Sequence, residues 1–505
     1  MIASRYVFKL ALIVLFLSNC RQTNQLRVDE QELRAQVMEA GQNEDANGPL
    51  ETITEGTRSA IVPVEGNREV APEAPPLILD LVKASESPGT LQLSDLGGTP
   101  RYTVLRFKER PDSIFNNFEG MKFVLTPNNI IAYSHYHGIV RFDRSGNYVQ
   151  TIVNNDFHYT IAAGGKGVYI STEDRNMFSG TREKVYTSGD QLYFQYTGSN
   201  TNETWMMTFD ASPGKLSAGQ LKGSLEGAEK QAAGKKIFKT NPHKIFPYQS
   251  GIFPLGNDRW AMAGPLTPFS QTSSFLTVRN SSNDTLSYFT NHMTIGNYQR
   301  TTARSGFDPV QYVYKGVQHY RQELNDTVFS LTNHDRMSPK YVLNRGEHRF
   351  KNALEAVDPK SDLSNKWIIE DFIEGDKHIF IRYIQNNDSP NNRKKGAVTY
   401  HACVYFKETD QLVQVYKDLK PPASLRGHFY PPDHLFNDVD HGPSFWPKGT
   451  DEHGTPFTWY RGKEIKQLLQ NGTITNRWTS DGLREEIMGL HDDDYLLIIL
   501  GPSQL

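Results

Sequence analysis

The chain has 505 residues, with 54 Lys and Arg against 57 Asp and Glu and a formal net charge of −3. That balance gives no broad basic field, so nucleic acid is not an expected partner. Two cysteines exclude a disulfide framework, and 27 Phe and 24 Tyr among 39 Gly and 27 Pro favour turn-rich β structure.

The first twenty residues, MIASRYVFKLALIVLFLSNC, place Arg5 and Lys9 before an apolar run over 10–17 and then small and polar residues. This is the pattern of a secretory signal. The run is shorter than the ~20 residues a membrane-spanning helix needs. Leu17-Ser18-Asn19-Cys20 resembles a bacterial lipobox, which makes residues 1–19 a lipoprotein signal peptide and Cys20 the lipidated mature terminus. Several acyl chains at ~0.8 kcal/mol per buried methylene would hold the protein on a bilayer. Arg21-Gln22-Thr23-Asn24 lacks the acidic residues of a surface-export signal. The expected location is therefore the outer membrane, with its periplasmic face favoured over the cell surface.

From residue 21 to 101 there is no Phe, Tyr, Trp or Cys, and stretches such as AGQNEDANGPLE and PVEGNREVAPEAPP are polar and rich in Gly and Pro. Such a segment cannot bury enough apolar area to offset its conformational entropy. Residues 20–99 are expected to be a flexible, disordered tether with a reach of roughly 50 Å as a random coil.

Residues 100–505 read as one folded, all-β unit. NNIIAYSHYHGIVRFDRSGNYVQTIVNN (128–155) is a hairpin around the turn Asp143-Arg144-Ser145-Gly146-Asn147. Comparable units follow: KGVYISTED with QLYFQYTGS and ETWMMTFDAS, GIFPLGNDRWAMAG with SSFLTVRNSSNDTLSYFT, PVQYVYKGVQHYRQELNDTVFSLT, KWIIEDFIEGDKHIFIRYIQ with TYHACVYFKETDQLVQVYKD, and DGLREEIMGLHDDDYLLIIL. Six units with polar turns suit a six-bladed β-propeller, with a double-sheet sandwich or two smaller β domains as the competing architectures. Closure of the disc is expected by pairing a strand near 102–107 with one near the C-terminus, because open sheet edges invite aggregation. Cys403, within YHACVYF, reads as a buried small apolar residue.

The grammar IIAYSHYHGIVRFDRSGNYVQTI, the segment RQELNDTVFSLTNHDRMSPKYVLNRGEH, IIEDFIEGDKHIFIRY and NDVDHGPSFWP together resemble the six-bladed propeller lipoproteins of Bacteroidota, many of them of unknown function. The resemblance covers residues 102–500. It implies the fold and an envelope location, and no particular reaction.

Candidate chemistry is sparse. FNDVDHGPSFWP (436–447) gathers Asn437, Asp438, Asp440 and His441 as possible ligands of a hard cation, since carboxylate and amide oxygens suit calcium, yet the EF-hand spacing is absent: Gly442 and Gly449 stand where a third oxygen ligand and a bidentate Glu are needed. No metal is assigned, and no cofactor. The plainer reading has Asn437 and Asp438 pinning the loop, Phe445 and Trp446 packing on the neighbouring blade, and Asp440 and His441 pointing to solvent as candidate ligand contacts. His135 and His137 alternate in SHYHG and would share one face of a strand, as half of a zinc site or as groove-lining imidazoles. His491-Asp492-Asp493-Asp494 reads as a solvated turn. There is no Gly-x-Ser-x-Gly, no HExxH and no phosphate-binding loop.

Two functions fit. One is a lipid-anchored envelope module that binds a protein or glycan through one mouth of its disc without a reaction. The other is a propeller hydrolase or lyase acting on a glycan or small molecule, with calcium assistance. Converging carboxylates and histidines on the channel would favour the enzyme; small, apolar or scattered groups would favour binding.

Overall fold

A computed structural model describes residues 75–87, 89–107, 121–134, 138–153, 157–161, 167–171, 185–197, 204–213, 234–240, 252–256, 258–263, 274–280, 282, 284–290, 310–321, 324–332, 336–351, 355, 365–385, 399–419, 435–474 and 481–502. Its strands form six radial sheets, the blades, of which the first is Lys122–Leu125, Asn129–Ser134, Gly138–Asp143 and Tyr148–Val153. Blade two runs from Tyr186–Ser188 to Gly234–Thr240 and blade three from Ile252–Gly256 to Thr285–Thr290. Blade four comprises Val310–Tyr314, Val317–Arg321, Thr327–Thr332 and Arg336–Asn344; blade five comprises Trp367–Glu374, His378–Gln385, Thr399–Phe406 and Gln411–Leu419. A separate hairpin, Phe157–Ile161 with Gly167–Ser171, lies in sequence between blades one and two.

Blade six closes the ring. Gly449–Thr450, Pro456–Arg461 and Tyr495–Pro502 supply three strands, and the fourth, β2 (Gly98–Leu105), comes from the other end of the domain. β2 pairs antiparallel with Tyr495–Pro502 along its whole length, Gly98 opposite Pro502 and Leu105 opposite Tyr495. Gly146, at φ +89°, brings the blade-one turn against β2, where an added Cβ would stand 2.2 Å from the Val104 carbonyl oxygen. Glycine is required there on both counts.

The segment 77–96, placed in the tether from its sequence, is folded. β1 (Leu77–Asp80) adds a fifth, parallel strand to blade four, Leu77 opposite Tyr341 and Asp80 opposite Asn344. Asp80 then caps α1 (Leu81–Glu86) by accepting from Lys83 N, and Leu79, Leu81 and Ala84 are buried against blades four and five. Gly89 N donates to Gln414 O on the blade-five edge, and Leu93 N donates to Phe436 O ahead of blade six. One strap thus crosses three successive blades before becoming β2. Polar residues around LILDLV dilute its apolar signal, but Leu77, Leu79, Leu81, Val82 and Ala84 suffice once blades four and five are present to receive them.

Two further helices, α2 (Gly462–Gln470) and α3 (Asp481–Met488), join the second and third strands of blade six. From its sequence, 481–490 belongs within the last strand unit. Leu483, Ile487 and Leu490 instead recur at helical spacing and pack on the core that holds Phe445 and Trp446. Cys403 is fully buried in the seam between blades four and five, where burial pushes its thiol up to about 12.

Candidate functional site: the channel strands and the seam between blades four and five

The first strands of blades four, five, six and one lie against one another in turn. The first strand of each blade therefore borders the channel, and the fourth forms the rim. Among the described residues, these channel strands carry no histidine and three carboxylates, Glu370, Asp371 and Glu374, all from blade five. A register shift between Ile369 and Asp371 leaves Glu370 unopposed on the next strand, and both Glu370 and Asp371 pair with the Arg382 guanidinium.

Glu374, with its side chain fully buried, is the centre of a polar constellation in the seam. Lys407 Nζ stands 2.8 Å and Lys340 Nζ 3.1 Å from Glu374 Oε1. Tyr341 donates to Oε1 at 2.6 Å and Tyr312 to Oε2 at 2.7 Å. Lys340 reaches this point because the third and fourth strands of blade four slip between Val328 and Phe329, opposing Tyr341 and Pro339 and leaving Lys340 between them without a partner residue. Bulges re-aim side chains in this way. Lys340 also stands 2.9 Å from His319 Nε2, and the His319 ring stacks on Tyr312 with centroids 4.7 Å apart.

Burial by itself would raise the pKa of Glu374. Lys407 and Lys340 more than offset this and hold it below the ordinary carboxylate range. Burial, reinforced by Lys340, depresses His319 to about 4, so the ring is neutral near pH 7. Tyr312 and Tyr341 are pushed far up by burial and by the Glu374 charge, and both remain phenols. The constellation is one carboxylate satisfied by two ammonium groups and two hydroxyls.

Antiparallel order places the turns between first and second and between third and fourth strands at one end of the disc. There the turns interlock from blade to blade. Lys315 of blade four pairs with Asp376 of blade five at 2.7 Å, and Asp376 N donates to Gly454 O of blade six. Arg144 of blade one stands 3.8 Å from Asp451 of blade six. Asp190 of blade two accepts from Thr126 Oγ1, Asn128 Nδ2 and Asn129 Nδ2 of blade one at 2.5–2.8 Å.

The residues singled out from sequence are not gathered here. Cys20, His135 and His137 lie outside the described residues. In the loop 436–447, Asn437 is buried and donates to Asp440 Oδ1, while Asp438 accepts from Ser94 N and Oγ of the strap. Asp440 does not point freely to solvent as expected: Tyr102 OH donates to both its oxygens and Gly442 N to one. The reach of Tyr102 from β2 is enough to turn it inward, because its side chain ends in a phenol just where the loop passes. His441 is exposed, as are Phe436 and Val439. Phe445 and Trp446 are buried against blade five. Asp494, expected in a solvated turn, is fully buried and accepts from Phe107 N and His491 N. Among the described residues no three His, Cys, Asp or Glu side chains come together as metal ligands would.

The blade-four residues carry no recognisable motif in the sequence. The signal was the spacing in VQYVYKGVQHYR, where Tyr312, Tyr314 and His319 fall on one face across a Lys315-Gly316 turn. Nothing local announces Glu374, whose partners come from two blades.

Six blades of four antiparallel strands around a channel, one of them extended by β1 and the ring closed by β2, define a six-bladed β-propeller. Residues 64–471 match the family described as "Domain of unknown function (DUF4933)", and the chain belongs to that family. Family and fold agree with the resemblance to Bacteroidota propellers of unknown function. Among solved structures, the chain is similar to a member of the DUF4221 family from Bacteroides vulgatus, at 9% identity and a TM-score of 0.38, covering 80% of this chain and 96% of that one. It is also similar to a protein of unknown function from Bacteroides thetaiotaomicron, at 9% identity and a TM-score of 0.32, covering 79% of this chain and 76% of that one. A streptogramin B lyase structure matches at 8% identity and a TM-score of 0.31, covering 79% of this chain and 98% of that one. No curated protein matches the chain.

Proposed function

We propose that this propeller is a lipid-anchored binding module of the cell envelope, acylated at Cys20, held by its tether at the periplasmic face of the outer membrane, and engaging a protein or glycan at the channel without a reaction of its own. The carrying observation is the state of the channel carboxylates. Glu370 and Asp371 are committed to Arg382, and Glu374 to Lys340 and Lys407. A general acid or base needs a proton it can exchange near the working pH. An ionised, fully coordinated Glu374 and a neutral, buried His319 are poorly suited to that task. Rigid, mutually satisfied groups are the preorganised surface a binding protein needs. The exposed Phe436, Val439 and His441, on a loop pinned by Asn437 and Asp438 beside β2 at the rim, offer a second contact surface away from the channel.

The test incubates the full-length protein in detergent micelles with envelope glycans and extracted outer-membrane proteins, measures retention, and recovers each retained ligand for mass analysis. Saturable retention of an unaltered ligand is expected. A time-dependent change in ligand mass would overturn the reading in favour of an enzyme.

A further inference from the structure

The seam between blades four and five is open to solvent on its cationic side. Glu374 is wholly buried, but the Lys340 and Lys407 side chains that hold it remain 29% and 21% exposed. Lys315 and Asp376, in the turns at this end of the disc, are both more than half exposed. All three lysines surround one ring: Lys407, Lys340 and Lys315 Nζ stand 4.3, 4.9 and 5.2 Å from the Tyr314 centroid. Gly454 of blade six makes room for that ring, since an added Cβ would stand 2.8 Å from Tyr314 Cε2.

The charges in this cluster do not balance. Lys315 is matched by Asp376, whereas Lys340 and Lys407 share the single charge of Glu374. His319 is neutral, and the acids of the turn that carries Lys407 are engaged elsewhere, Glu408 with Lys377 and Asp410 with the Tyr405 hydroxyl. One positive charge is left over. Among the described residues, Lys407 Nζ donates one hydrogen bond, to Glu374, of the three an ammonium can give. One ammonium beside the two phenols would neutralise and satisfy Glu374. A second ammonium on the same oxygen adds like-charge repulsion, which contact with the Tyr314 ring offsets only in part.

Resting on the reading of the protein as a binding module, we propose that the exposed side of Lys340 and Lys407, with Lys315 beside them, binds the carboxylate of a uronic acid in an acidic glycan. One surplus charge matches a monoanion, whereas a phosphate dianion would remain half neutralised and a neutral sugar would leave the surplus untouched. Both ammonium groups touch the same Glu374 oxygen, so the two oxygens of one incoming carboxylate can bridge them. A carboxylate fixed to a pyranose ring is seated at little entropic cost. A Glu or Asp side chain of a protein partner would first have to lose its rotamer freedom.

The experiment titrates the full-length protein in detergent micelles by calorimetry with galacturonate and glucuronate oligosaccharides, their methyl esters, inorganic phosphate and a short polyglutamate peptide, and repeats the acidic sugars with Lys340→Met and Lys407→Met. At least one acidic oligosaccharide is expected to bind, its methyl ester to bind tenfold more weakly or worse, and each substitution to weaken the acid tenfold or more. The comparison of acid with ester uses the parent protein, so it decides even where a variant fails to fold. The site is overturned if no acidic sugar binds, if acid and ester bind alike, or if both folded variants bind as the parent does. Tighter binding of phosphate or of the peptide would also overturn it, by assigning the lysines to another ligand. Retention of an envelope protein or a neutral glycan, unaffected by both substitutions, would defeat this site while leaving the binding-module reading standing. A uronate bound through both lysines but recovered altered in mass would do the reverse.

Discussion

Trp446 meets Phe380 edge to face, with ring centroids 5.6 Å apart at 81°, although one residue precedes blade six and the other lies on the second strand of blade five. The contact sits in a core shared with Leu93 and Leu96 of the strap and Ile487 of α3, so one indole joins four parts of the chain. Trp446→Ala is expected to cost about 3–5 kcal/mol, the usual penalty for a buried aromatic. Urea unfolding checks this, and a loss under ~1 kcal/mol would show that the loop does not depend on the indole.

The strap divides the N-terminal region by energetics. Leu79 and Leu81 are almost wholly buried, so Leu79→Ala or Leu81→Ala is expected to cost about 2–5 kcal/mol. Deletion of residues 25–70, whose composition supports no core, should leave the melting temperature of the propeller nearly unchanged. Equal destabilisation by the point variants and the deletion would contradict this division.

Glu374→Gln is expected to lower stability by about 3–5 kcal/mol, because it leaves the Lys340 and Lys407 ammonium groups facing each other in a seam that hides them from most solvent. Lys315→Ala, which removes an exposed pair with Asp376, should change stability scarcely at all. Chemical denaturation of both variants decides whether the buried carboxylate or the surface pair holds blades four and five together.

Acid should loosen the same seam. His319 is depressed to about 4 from an ordinary 6.5, so between those values the unfolded chain binds a proton that the native ring refuses. Stability is therefore fully present above pH 6.5 and is lost progressively as the pH falls towards 4. The charged and titratable groups facing the ring are Lys340, Lys407, Glu374, Tyr312 and Tyr314, and the depressed Glu374 adds loss in the same direction at lower pH. His378, also depressed to about 4, contributes a parallel loss. His319→Gln is expected to flatten the dependence of the urea midpoint between pH 7 and 5. An unchanged slope would assign the effect to His378.

Cys20 is expected to be the mature N-terminus and to carry lipid. Mass spectrometry of protein purified from its native membrane checks both points, and Cys20→Ser should release the protein into the soluble fraction. An unmodified Cys20 or cleavage elsewhere would remove the anchor from the proposal.

The blades were legible because their strands carry the signals that sheet physics demands. HIFIRYIQ is a nearly continuous apolar run, as suits an inner strand covered on both faces, and DRSGN has the glycine and carboxylate that its turn uses. β1 and α1 were not legible, since four residues of strand mean nothing without the edge of blade four beside them. The Glu374 constellation was hidden for a similar reason. Its residues are scattered from Tyr312 to Lys407 and become neighbours only when two blades meet, with Lys340 delivered by a bulge that no local pattern marks.

The route of the strap sets the order in which the disc would yield to force. A pull on the chain upstream of residue 75 reaches the four-residue β1 ladder on blade four first, then α1, then the single backbone bond at Gly89, then the bonds of Leu93 and Ser94 to Phe436 and Asp438, and only afterwards the eight-residue ladder between β2 and Tyr495–Pro502. The short contacts act as a mechanical fuse: they can detach and re-form while the circle of blades stays locked.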